Sequence, residues 1–251
     1  MSVQAGTMLL ERHAPGPRPV YAPGVEEFVG PLRADRVGRL HRTEAEASTL
    51  LETSFFRERE TFDLLRETIL PRMIANNAAE RRLRIWSAAA STGQEAYSVA
   101  MLIREHFAEL AEWDVKIIGT DLSGDAIEYA KRGRYRRAEV NRGLPARMLM
   151  KYLARDDDEW EIHPGLRSMC EFAEADLCMP LPELPQFDLV LLRNVLLYLP
   201  QAGRSYALGS VSRQMAREGV LLLGAAEQAE DSTNLFQAEF AGECCYYLAV
   251  G

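Results

Sequence analysis

The stretch RIWSAAASTGQEAYSVAML, residues 84–102, changes its period in the middle. RIWSAA is a short β-prone run, whereas Val99, Leu102 and Ile103, continued by Leu110, fall on one helical stripe. A strand therefore gives way to a helix across a turn of small residues. Such a junction is where an open α/β sheet receives ligands, beyond the carboxyl end of a strand and at the start of a helix. The turn holds one glycine, Gly93, behind the bulkier Ser91 and Thr92, so the glycine-rich loop that brings backbone N–H groups to a pyrophosphate is missing.

Outward from this junction the same alternation continues. LRIWSAA, VKIIGTD, FDLVLLRN and GVLLLGAAE are apolar or β-rich runs ending in small or polar residues, and helical stretches separate three of them. Continuous apolar strands alternating with helices predict a parallel sheet covered on both faces. The strand tips then supply Ser91, Thr92, Gly93, Gln94 and Glu95 from the first strand, and Asp121 from the second. Arg193, Asn194 and Tyr198 follow the fourth, and Glu227 the fifth. A carboxylate at the second tip can accept both hydroxyls of a ribose. Glu95 suits an ammonium better than a phosphate, so the pair predicts an adenosine-bearing ligand with a cationic amino-acid end. Two plainer roles stay open at this point: Asp121 as a cap for the helix beginning near Ser123, and Glu95 as a first-turn acid favoured by the helix dipole.

The flanks are less regular. Residues 1–25 include APGPRPVYAPG, which sustains neither helix nor central strand and reads as a flexible arm. Residues 26–80 read as helical, with Phe62, Leu65, Ile69 and Met73 on one face and Pro71 as a kink. Arg33, Arg36, Arg39 and Arg42 cluster there, either as a solvated face or as a docking patch for an acidic partner. Residues 81–251 form the ligand-binding domain. Within it NRGLPARMLMKYL reads as a helix opened by Pro145, and an acidic turn between two short strands predicts an inserted antiparallel unit at about 158–175. ECCYYLAV reads as a final strand.

Bulk properties exclude several classes. The 251 residues are 47% hydrophobic and 26% charged, an ordinary globular balance. A net charge of −8 argues against nucleic acid as a partner. No apolar run reaches bilayer length and no signal peptide is visible, so a cytoplasmic location is expected. The four cysteines and four histidines lack metal-ligand spacing, and no metal site is predicted.

TSFFRERETF, RIWSAAASTGQEAYSVAML, IIGTDLSGDAIEYAKRGRY, NRGLPARMLMKYL, FDLVLLRNVLLYLP and LLLGAAE together resemble, in order and spacing, the CheR-type chemoreceptor glutamate O-methyltransferases. The likeness covers roughly residues 50–250. It implies a class I methyltransferase-like, Rossmann-like α/β fold with a mostly parallel seven-stranded sheet, helices on both faces, a small inserted antiparallel β-subdomain and a shortened helical N-terminal region. It further implies S-adenosyl-L-methionine as cofactor and a methyl-accepting chemoreceptor as protein substrate, approached from outside the membrane without insertion. By resemblance Thr53, Arg57, Glu95, Asp121, Asp176, Leu177, Arg193 and Asn194 are cofactor-side residues, and Arg57 and Tyr198 are the catalytic pair. The inserted unit would contact the receptor or its tail. Gln94, Ala96, Leu51 and Asp176 depart from the family pattern, Leu51 and Asp176 each replacing an asparagine. A catalytically weakened cofactor-binding module and a small-molecule methyltransferase are the alternative readings.

Overall fold

The computed structural model describes residues 53–229 and 234–250. The arm expected over 1–25, residues 26–52 of the expected helical region and the Arg33–Arg42 cluster lie outside the described residues. Helix α1 (Arg59–Leu64), a π-helical turn (Leu65–Ile69) and α2 (Leu70–Asn76) lead into β1 (Arg82–Ala88), α3 (Gln94–His106) and β2 (Asp114–Asp121). Next come α4 (Gly124–Arg132), β3 (Arg134–Arg136), α5 (Arg137–Val140), α6 (Ala146–Tyr152), β4 (Leu153–Asp156) and β5 (Glu159–Ile162). The chain continues through α7 (Pro164–Arg167), β6 (Cys170–Glu174), β7 (Phe187–Leu192), α8 (Gln201–Gln214), β8 (Met215–Leu223), β9 (Phe236–Ala241) and β10 (Cys244–Ala249).

Seven strands form one sheet in the order β6-β2-β1-β7-β8-β10-β9, parallel except for β10, which runs antiparallel to both neighbours. The expected mostly parallel seven-stranded sheet is present. Its central strands are largely apolar because successive residues feed two different cores. Leu83, Ile85, Leu189, Leu191, Val220 and Leu222 pack on the face covered by α1 and α3. Trp86, Ala88, Val190, Leu192, Leu221 and Leu223 pack on the opposite face with Ala207, Leu208 and Val211 of α8. A strand with both faces buried cannot alternate apolar and polar, which is why these runs are legible as parallel strands.

Three local expectations are adjusted by the structure. Pro71 does not simply kink a helix: the π-helical turn widens the backbone just ahead of it, giving room to a ring that would crowd the carbonyl of Glu67. Leu110 leaves the α3 stripe for a short 3-10 helix, Ala108–Glu112, because the backbone turns at Phe107. The small antiparallel sheet, ordered β3-β5-β4, is built from residues 134–136, 153–156 and 159–162 rather than 158–175. Cys170–Glu174 is instead β6, an edge strand of the main sheet. Its alternating burial, with Cys170 and Phe172 inside and Glu171 and Glu174 outside, is why it reads as part of a surface unit.

Tyr135 of the small sheet and the helix α6 that precedes β4 are both tied to the main domain. The fully buried Tyr135 donates to the Thr92 carbonyl at 2.7 Å and packs edge-to-face with the Phe55 ring at a centroid distance of 5.1 Å. Further along α3, Glu105 has a side chain only 3% exposed and accepts hydrogen bonds from Arg147 (2.5 Å), Lys151 and the Tyr152 hydroxyl (2.6 Å). Those donors, Lys151 first and then Tyr152, bring the Glu105 carboxyl down to about 2. A carboxyl lowered on folding stabilises fully above its ordinary range and loses that contribution as pH falls through the folded value. The lowering is worth at most about 3 kcal/mol, and exposure of Arg147 and Lys151 screens it to about 1–2 kcal/mol. Glu105→Gln is therefore expected to destabilise the protein by that amount at pH 7, with the gap to wild type closing between about pH 4.5 and pH 2. Urea unfolding across that range checks it, and a gap independent of pH would refute the assignment.

No helix among the described residues is long and apolar enough to cross a membrane.

Candidate active site

The site lies where the order of the central strands reverses, between β1 and β7. The β1–α3 loop is unusual: Ala89 (φ 94°) and Ser91 (φ 49°) both hold left-handed backbone, a strain of about 1–3 kcal/mol each for a residue with a side chain. Hydrogen bonds explain how it persists. The N–H groups of Ala89 and Ala90 both donate to the Thr120 carbonyl at 2.8 Å, that of Ser91 to Asp121 Oδ2 at 2.7 Å, and that of Gly93 to the Ala90 carbonyl at 2.9 Å. These donors, which a phosphate-binding loop would aim at its ligand, are engaged within the protein. The absence of a glycine repeat thus corresponds to a loop braced on the tip of β2, and a pyrophosphate finds no cradle there.

Asp121 is the brace. Its two oxygens accept from the N–H groups of Ser91 (2.7 Å) and Ser123 (3.0 Å). Ser123, rather than Asp121, caps α4 by accepting from the Ala126 N–H at 3.2 Å, so the capping role belongs to the neighbouring residue. Glu95 sits in the first turn of α3, where its carboxylate accepts from the Ser87 hydroxyl at 2.7 Å and from Arg193 at 2.7 Å. Arg193, whose side chain is 2% exposed, also donates to the Arg57 carbonyl (2.7 Å) and to Glu58 (3.0 Å). Burial alone would lower its pKa; the charges of Glu95 and Glu58 more than offset this and keep it protonated. Asn194 adopts left-handed backbone (φ 57°), held by its N–H to Glu227 (2.6 Å) and its side-chain amide to Glu58 (2.9 Å).

Two hollows open around these residues and share Ala89 as a common wall. The more polar one, about 450 Å³, is lined by Thr53, Ser54, Arg57, Ser91, Glu95, Arg193 and Asn194, with Phe62 beneath. The more apolar one, about 590 Å³, is lined by Asp121, Leu122, Asp176, Leu177, Val195 and Tyr198. Every residue assigned from the sequence thus borders one hollow or the other. Asp176 accepts from the Cys178 N–H at 2.8 Å, which turns its own carboxylate into part of the turn. Leu177 is buried and Tyr198 is half-exposed at the rim.

The division fits S-adenosylmethionine. S-adenosylmethionine would find in Glu95 an anion for its amino group, in Asp121 an acceptor for its ribose, and in Leu177 and Val195 an apolar flank for its adenine. In the polar hollow Arg193 Nε and Ser91 Oγ are buried without a hydrogen-bond partner, two donors suited to a carboxylate.

Three residues escaped the sequence reading as parts of the site. Ser87 lies inside a strand, Glu58 in a charged run that looks solvent-exposed, and Glu227 at a strand tip with no pattern that marks its role. Glu227 accepts from the N–H groups of Asn194, Val195, Leu197 and Gly224 and so shapes the turn bearing Tyr198. Only the sharing of one guanidinium by two acids reveals Glu58, and no linear pattern reports that.

Strand order, the reversed β10, the acid at the β2 tip and Glu95 in the first turn of α3 define an S-adenosylmethionine-dependent methyltransferase of class I fold. Residues 51–244 match the family described as "CheR methyltransferase, SAM binding domain". Chemotaxis protein methyltransferase 1 of Pseudomonas aeruginosa is 35% identical over 216 residues, covering 84% of this chain and 78% of the relative. Chemotaxis protein methyltransferase Cher2 of Pseudomonas putida is 34% identical over 206 residues, 80% of this chain and 74% of that one. Among solved structures, the N-methyltransferase NodS of Bradyrhizobium japonicum superposes with a TM-score of 0.47 at 14% identity, covering 84% of this chain and 100% of its own. The chain belongs to the CheR family of chemotaxis protein methyltransferases.

Proposed function

We propose that this methyltransferase esterifies glutamate side chains on a methyl-accepting, chemoreceptor-type protein, working in the cytoplasm and docking to the receptor from outside the bilayer. One observation carries the reading. Among the described residues lining the two hollows there is no histidine or lysine, and the carboxylates of Glu95, Asp121 and Asp176 already accept internal hydrogen bonds. Such a site suits an acceptor that needs no general base. A glutamate, with an ordinary pKa of about 4.3, is ionised at neutral pH, unlike an alcohol or amide. The names of the relatives point to the same class of substrate.

When bound, S-adenosylmethionine supplies an electrophilic methyl whose sulfur leaves as a neutral thioether. The protein would have no proton to move, because an ionised carboxylate needs no general base and a neutral thioether leaving group needs no general acid. What the residues contribute is alignment, an effect worth about 7–11 kcal/mol when a bimolecular displacement becomes intramolecular. Arg57, on the wall of the polar hollow, steers the incoming carboxylate by charge-assisted hydrogen bonds. Tyr198 borders the apolar hollow from its rim and fixes the second oxygen or packs beside the methyl.

The direct test is to incubate the purified protein with labelled cofactor and the receptor-bearing membranes of its own cell, then release the label with mild alkali. Base-labile label on a receptor-sized band is expected. Label confined to small molecules, or cofactor binding without any ester, would overturn the reading. In the same assay Arg57→Ala should lower turnover about 100-fold and Tyr198→Phe about 10-fold, with S-adenosylhomocysteine affinity within about 5-fold of wild type. Calorimetry showing that both variants simply lose the ligand would reverse that division of roles.

A further inference from the structure

The segment carrying Thr53 and Arg57 is held in an unfavourable shape. Phe56 (φ 50°) and Glu58 (φ 59°) both have left-handed backbone, two within three residues, and neither is glycine. Something must over-determine that conformation. On one side the Phe56 N–H donates to the Ser98 hydroxyl at 3.0 Å. On the other, the Glu58 carboxylate collects three donors from two different strand tips: Arg193 (3.0 Å), the Asn194 side-chain amide (2.9 Å) and the Ala225 N–H (3.1 Å). Burial would raise the Glu58 carboxyl, but Asn194, Arg193 and Ala225 together hold it below its ordinary range, so it is ionised near neutrality.

We infer that Glu58 is a positioning residue, which fixes Arg57 over the polar hollow and divides the Arg193 guanidinium between itself and Glu95. Glu58 borders neither hollow, so it does not act by touching ligand. Its effect passes through Arg57, its chain neighbour, and through Arg193, which bridges Glu58 to Glu95. With the Glu58 charge removed, Arg193 pairs with Glu95 alone, and Glu95 attracts a ligand ammonium less strongly. With its three hydrogen bonds also removed, the left-handed backbone relaxes and Arg57 leaves its place.

The two contributions separate by substitution. Glu58→Gln keeps the reach and loses the charge; it should weaken S-adenosylhomocysteine binding about 5- to 10-fold while changing single-turnover methyl transfer at saturating cofactor less than 3-fold. Glu58→Ala should lower that transfer step about 30- to 100-fold and, without any ligand, reduce hydrogen-exchange protection of the Phe56 amide at least 10-fold. Glu58→Asp should recover affinity more than rate, because it restores charge but not length. Glu105→Gln, which weakens an anchor distant from the hollows, serves as a stability control and should keep wild-type transfer where it remains folded.

The inference rests on the cleft and Arg57 roles proposed above, and the two fail differently. A wild-type protein that forms no base-labile ester overturns the proposed function, while ligand affinity and amide exchange still test Glu58. A wild type that does form ester, with Glu58→Ala transferring within 3-fold of it or losing no more than Glu105→Gln at an equal drop in melting temperature, overturns the role of Glu58. If the alanine variant does not fold, unchanged ligand affinity in Glu58→Gln overturns it equally.

Discussion

Asp121→Ala is expected to weaken S-adenosylhomocysteine binding at least 100-fold and to make the loop over residues 89–93 the least protected part of the sheet edge. Under the proposed binding mode Asp121 would do two jobs with one carboxylate. Internally it ties the β1–α3 loop to the β2 tip through the Ser91 and Ser123 N–H groups. A carboxylate has about four acceptor sites, so it can accept ribose hydroxyls in addition to these two donors. Each hydrogen bond to a charged acceptor contributes about 1.5–3 kcal/mol, and two lost from the ligand make about 3–6 kcal/mol, about two to four powers of ten in affinity. The internal bonds add to this, because Ala89 and Ser91 hold left-handed backbone that the brace stabilises. Asp121→Asn keeps one acceptor oxygen and should lose only about 10-fold. Calorimetry on both variants checks the ranking; a loss below about 5-fold in the alanine variant would remove Asp121 from the binding site and leave it a structural brace.

How much of this could be seen beforehand depends on which forces leave a mark along the chain. The β1–α3 junction, Asp121 and the apolar strands were legible because parallel strands buried on both faces leave unbroken apolar runs, with polar residues confined to their tips. The edge strand β6 was not, since its outer positions, Glu171 and Glu174, face solvent and imitate a surface hairpin. The resemblance places Arg193 on the cofactor side. Its geometry shows a larger office, as the buried bridge between Glu58, Glu95 and the Arg57 carbonyl. Glu58 itself was hidden within RERETF, where alternating charges read as a solvated helix start. Contacts between residues 135 positions apart, such as Glu58 with Arg193, are tertiary facts with no local signature.

The NRGLP turn shows the same dependence on distant contact, and it sets the second large effect. Gly143 stands between α5 and α6 with φ +89°, and a Cβ built there would lie 2.0 Å from the carbonyl oxygen of Phe55. Phe55 is fully buried against Tyr135, so its carbonyl cannot yield without moving the residues that follow, Arg57 among them. Gly143→Ala therefore combines a left-handed alanine, about 1–2 kcal/mol, with a backbone clash. A total of about 3 kcal/mol or more is expected, a fall in melting temperature of about 6–12 °C for a chain of this size. Methyl transfer should fall below about 5% of wild type even at temperatures where the variant is folded, because the displaced segment carries Thr53 and Arg57 away from Glu95. Gly242 supplies the control. It too is left-handed (φ +61°), in the β9–β10 turn, but nothing lies within 4 Å of a Cβ there. Gly242→Ala should cost about 1 kcal/mol and leave transfer unchanged. Equal losses in the two variants would mean that backbone conformation alone sets the effect, and that the Phe55 contact plays no part in holding the catalytic segment.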